Sequence, residues 1–117
     1  PVKRTIYISK ELAGTELPES GYSALAEYSM LNLPNIRYYA SDKISQWKAV
    51  QSDYLQDSRT QVAVELWRYD PRKLSKKKIV DELSLALSLR KKADERVEEA
   101  IEEMLNNLWR RLDGYRN

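Results

Sequence analysis

The spacing of apolar residues changes along this chain, and the change predicts the elements. Arg4 to Ser9, rich in Thr, Ile and Tyr, predicts a strand. Leu12 to Ser20 holds Gly14, Pro18 and polar residues and reads as a loop. Gly21 then opens a helical pattern in Tyr22, Leu25, Ala26, Tyr28 and Leu31, stopped by Asn32 and Pro34. Ile36 to Ala40 is a second short strand. Ser41 or Asp42 is placed to cap a following helix with apolar positions Ile44, Trp47 and Val50. Tyr54 to Gln61 is a mostly polar connection.

The third strand starts at Val62. Val62, Val64 and Leu66 point to one side, and Ala63, Glu65, Trp67 and Tyr69 to the other. Both sides carry large apolar groups, which predicts a central strand covered on both faces. Asp70-Pro71 ends it, because Pro lacks the ladder donor. A basic loop, 72–78, follows. Asp81 can cap a helix running to about Arg90, and Leu83, Leu85, Ala86, Leu87 and Leu89 cover so much of its circumference that deep burial is expected. From Asp94 the stripe Val97, Ala100, Ile101, Met104, Leu105, Leu108 and Leu112 predicts the last helix. Its acids lie toward the N-terminus, Arg110 and Arg111 lie near the C-terminus, and Gly114 is a natural stop. The expected fold is α+β: one domain, 1–117, with a small sheet of about three main strands and four helices packed on it.

Composition narrows the chemistry. Three Trp and eight Tyr supply large buried areas in place of the missing Phe. There is no Cys and no His, so a Cys nucleophile, thiolate metal sites, a Ser-His-Asp triad and His-ligated zinc chemistry are excluded for these residues. Absence of Cys fits a reducing cytoplasm, which is the expected location. No apolar run approaches the roughly 18 residues of a membrane span, so no membrane partner is expected. A net charge of +2 is too small to mark a nucleic-acid binder by itself.

Four constellations are candidates for function. Arg72, Lys73, Lys76, Lys77 and Lys78 are possible phosphate contacts, but no glycine-rich cradle accompanies them, and a solvated loop is the plainer reading. The acidic face of the last helix lacks the spacing of a calcium loop and reads as solvated. Glu65 on a central strand is the one candidate for a metal-dependent nuclease or nucleotidyl-transfer site. It lacks an alternating Lys partner, and a structural ion pair, with an Arg for example, is favoured. Tyr22, Tyr28, Tyr38, Tyr39, Trp47, Trp67 and Trp109 are able to stack on bases, yet their spacing mostly matches buried faces. No catalytic, cofactor-binding or metal residue is assigned, and no enzyme activity is expected.

The order of motifs resembles the C-terminal domain of bacterial MarR-like winged-helix regulators. The resemblance is carried by Gly21-Tyr22-Ser23-Ala24-Leu25-Ala26 with Tyr28-Ser29-Met30-Leu31, Pro34 and Tyr38-Tyr39-Ala40. It continues through Trp67-Arg68-Tyr69-Asp70-Pro71, Val80-Asp81 with Leu83-Ser84-Leu85, Asp94-Glu95-Arg96-Val97 and the 105–109 end. A more distant likeness is to AbiEi-type antitoxins. Glu82 departs from the pattern, which would place Pro there; either residue suits the first turn of a helix. The resemblance implies an accessory domain for assembly, partner binding or ligand sensing in a transcription regulator. DNA would be bound by an N-terminal winged helix that these residues do not include. Pro1 leading directly into the strand-like 2–8 segment gives the same expectation, a C-terminal fragment of a longer protein. A homodimer or a protein partner is expected, with Trp109, Leu112 and Tyr115 at the interface. An antitoxin-like protein-binding domain is the alternative, beside the nuclease reading of Glu65.

Overall fold

The computed structural model describes residues 1–13, 16–75 and 77–114. Its elements run β1 (Val2–Ser9), α1 (Lys10–Ala13), α2 (Gly21–Tyr28), β2 (Tyr38–Ser41), β3 (Gln61–Trp67), α3 (Glu82–Leu89) and α4 (Glu95–Gly114). Short 3₁₀ turns occupy Ile44–Trp47 and Arg90–Lys92. The fold is α+β, as the change of period predicts.

The three strands form one mixed sheet in the order β1-β3-β2. β3 is central: it pairs antiparallel with β1, Ile6 facing Val64, and parallel with β2, Tyr39 facing Val64 on the other side. Alternation along β3 then divides the core in two. Val62, Val64 and Leu66 pack with Ile6, Ile8, Ala13 and Trp47 on one face. Trp67 packs on the other with Ala24, Leu25, Leu85, Leu89, Ile101 and Met104, so α2, α3 and α4 cover that face. The two-sided burial of β3 is the one read from its sequence.

Several boundaries differ, each for a local reason. The predicted loop at Leu12 begins instead as the last residues of α1. α2 stops at Tyr28 rather than Leu31. The Ser29 hydroxyl donates to the Leu25 carbonyl at 2.7 Å and accepts from Leu31 N–H at 3.2 Å, and this local alternative turns the backbone out of the helix. The helix expected after Ser41 is only the 3₁₀ turn Ile44–Trp47. Ser41 belongs to β2, and its hydroxyl accepts from Lys43 N–H and from the buried Trp47 indole instead of capping a longer helix. β3 ends at Trp67, two residues early.

α3 corrects a further expectation. Asp81 does cap it, accepting from Ser84 N–H at 2.9 Å. Leu85, Ala86 and Leu89 are buried, but Leu83 and Leu87 are 49% and 67% exposed, so one face of this short helix is open. A leucine-rich helix of two turns has too small a neighbourhood here to cover its whole circumference.

Candidate functional site

Asp94 starts α4, accepting from Val97 N–H at 2.9 Å through its side chain and from Glu98 N–H through its carbonyl. The helix then runs 20 residues. Its buried residues are Val97, Ala100, Ile101 and Met104, all in the first half. Beyond Met104 the apolar stripe continues through Leu105, which still packs against the edge of the core, to Leu108 and Leu112, and the described residues cover it only in part. Leu105 and Leu108 are half-buried, Leu112 is 44% exposed and Trp109 is 53% exposed. The molecule is accordingly long, 51 × 28 × 23 Å.

The chain after β3 approaches this overhang. Asp70 nucleates the bend: its carboxylate accepts from Arg72 N–H and its carbonyl from Lys73 N–H. Further on, Lys78 and Val80 are anchored to Glu19, which donates to the Lys78 carbonyl at 2.8 Å and accepts from Val80 N–H at 2.9 Å. The Tyr28 hydroxyl donates to the Val80 carbonyl at 2.8 Å. Burial, then the negative charges of Glu82 and Asp81, push the Tyr28 phenol far above its ordinary range, so it stays a neutral donor.

Between this anchored segment and α4 lies an open groove of about 530 Å³. Half-buried Tyr28, Ile79 and Leu108 line it together with exposed Leu74 and Leu112. Lys77 and Arg111 supply the cations, and Glu82, the one acid of the lining, is bonded to Arg111. The groove is therefore apolar in its body and positive at its margin. It brings together two features that look unrelated in sequence, the basic loop and the end of the last helix.

The predicted site residues are not all brought together. Arg72 and Lys73 are exposed, and Arg72 lines a separate groove beside Asp42, Lys43 and Asp70. Lys77 faces the α4 groove, Lys78 is exposed beside it, and Lys76 lies outside the described residues. The four described cations thus do not form one phosphate cluster. Leu112 lines the groove but Trp109 does not, and Tyr115 lies outside the described residues. Sequence reasoning missed Leu74 and Ile79, and weighed Tyr28 for function only as a residue that could stack on bases. The signal for Leu74 was present, as a lone large apolar residue inside a run of cations.

Glu65 is a different kind of place. It is 7% exposed, and among the described residues no Arg pairs with it, which corrects the expected ion pair. Its carboxylate accepts from the Trp67 indole at 3.3 Å. The fully buried Ser20 hydroxyl stands close by and has no partner at full hydrogen-bond geometry. Burial raises the Glu65 pKa above the usual carboxylate range; Ser20, Trp67 and the charge of Lys92 oppose that rise without cancelling it. Among the described residues no three acidic side chains gather as a metal-binding set, and no helix is long and apolar enough to cross a membrane. The aromatics chiefly pack: Trp47 and Trp67 are buried, and Tyr22 meets Tyr38 edge-on at 5.6 Å.

Comparison with protein-family models, with curated proteins and with solved structures finds no match to this chain.

Proposed function

We propose that this domain is an accessory assembly domain of a DNA-binding transcription regulator, holding a protein partner through the groove between α4 and the 74–79 segment. The observation that supports it most is the overhang of α4. A helix whose apolar stripe outlasts its own core, beside a second apolar wall, presents the kind of surface that protein interfaces bury. The regulator itself is a reading from the motif order that resembles MarR-like proteins, and DNA would be contacted by another part of that regulator.

No chemistry is assigned to the domain. A hydrolytic role for Glu65 would need an open site and a second carboxylate beside it, whereas Glu65 is buried. The domain alone is expected to bind DNA only weakly, without sequence preference and with strong salt dependence, through phosphate contacts of the exposed lysines. A DNA-binding titration at physiological salt tests this. Tight sequence-specific binding by these residues alone would overturn the accessory role, as would nuclease activity abolished by Glu65→Gln.

A further inference from the structure

We infer that the α4 groove takes an acidic, amphipathic helix of another protein; this rests on the assembly role proposed above and gives its partner a chemistry. The groove is open along its length and holds about 530 Å³. Leu108 and Leu112 stand one helical turn apart along one wall, with Leu74 and Ile79 facing them from the other. A wall made of one helix's i and i+4 side chains is matched by another helix that inserts residues at i, i+3 or i+4, and i+7.

Charge selects the sign of the partner. Arg111 and Glu82, the one acid of the lining among the described residues, pair with each other and neutralise one another. The charge left on the lining is that of Lys77, and Lys73 and Lys78 are exposed in the same loop. A helix with glutamates flanking its apolar stripe meets these cations, and one with lysines is repelled.

A second copy of this chain fits poorly. The acidic half of α4 has its apolar side buried against its own sheet at Val97, Ala100, Ile101 and Met104. The free half carries Arg110 and Arg111, the same sign as the groove. Nucleic acid also fits poorly, because the lining between the two cations is leucine, isoleucine and tyrosine.

The test uses the full chain and two synthetic peptides. Both carry leucines at helical i, i+3 and i+7 positions; one has glutamates at the remaining exposed positions and the other has lysines. Binding is read by fluorescence anisotropy, and the site by amide NMR shifts. The acidic peptide is expected to bind with a micromolar Kd, shifting Leu74, Ile79 and Leu112, and the basic peptide at least on the order of tenfold more weakly. Lys77→Glu and Leu112→Glu, both at exposed positions, should each weaken the acidic peptide by a similar factor while the fold is retained. Equal binding of the two peptides, or no shift in the groove at about 1 mM peptide, overturns the inference. So does a DNA oligonucleotide that occupies the groove more tightly than the acidic peptide. Sedimentation separates the two levels: self-association through the groove overturns this partner and keeps the assembly role. A monomer at every concentration that also ignores both peptides overturns both.

Discussion

The Trp67 indole N–H reaches back two residues along β3 and donates to the Glu65 carboxylate at 3.3 Å. Both groups sit on the same face of β3, the face on which Trp67 packs against α2, α3 and α4, and the bond is the only one at full geometry that the carboxylate receives among the described residues. One hydrogen bond compensates little of the cost of burying a carboxylate, so the neutral form is favoured in the folded state. The folded pKa therefore lies above the unfolded one. The folded state then holds the proton more tightly, and this contribution to stability is complete below the unfolded pKa. It is lost as pH rises through the folded pKa. Glu65→Gln removes the titrating group and keeps an acceptor for the indole. Its melting temperature should exceed that of the wild type at pH 8, with the difference closing toward pH 4. An unchanged difference across that range would show that Glu65 does not titrate differently on folding.

Gly21 holds a φ of +55°, and a Cβ built there would stand 2.9 Å from three atoms of the Tyr38 side chain. Left-handed backbone alone costs a non-glycine residue about 1–2 kcal/mol, and the close approach adds to it. Tyr38 is wedged against Tyr22 in turn, so it has little freedom to retreat. Gly21→Ala should therefore destabilise by about 2 kcal/mol or more, read as a lower urea midpoint with unchanged slope.

Asp81 satisfies the Ser84 N–H at the start of α3, and that helix is too short to lose a cap cheaply. Asp81→Ala should cost about 1 kcal/mol, a fall of about 4 °C in melting temperature for a domain of this size. Asp81→Asn, which keeps an accepting oxygen, should recover most of it.

The two halves of α4 should respond oppositely to truncation. Ile101 is buried among core residues of α2, α3 and β3, and Ile101→Ala should cost about 3 kcal/mol. Trp109 is half exposed, and Trp109→Ala should stay within about 0.5 kcal/mol of the wild type in chemical denaturation. A large loss at Trp109 would mean that it closes the domain core.

The elements most legible in the sequence were those whose pattern is set by burial. β3 alternates because both of its faces are covered, and α4 shows its stripe because one side meets the sheet. Asp81 was readable as a cap, since a short acid before an apolar run has few other uses. The ends of α2 and of the 44–47 turn were not, because hydroxyls of Ser29 and Ser41 decide them through bonds that no periodicity reveals. The exposure of Leu83 and Leu87 was equally hidden: composition counts leucines but not the neighbours available to cover them. The α4 groove depended on a loop and a helix end meeting in space. That meeting is fixed by the Glu19 bridge to the segment around Ile79, which joins residues far apart in sequence.

The strand order has a consequence for how the chain reaches this shape. β1 and β2 are not neighbours in the sheet; β3, which follows both in sequence, is the one strand that pairs with each of them. No sheet can form until the residues after Gln61 are present, and then the late strand must enter between two early ones. Such pairing over long sequence separations slows folding, and during synthesis the early strands leave the ribosome with unsatisfied edges. A chain cut before Gln61 should accordingly remain without a sheet and be prone to aggregate. In refolding of the whole chain, burial of Trp67 should coincide with sheet formation, because both depend on the docking of β3.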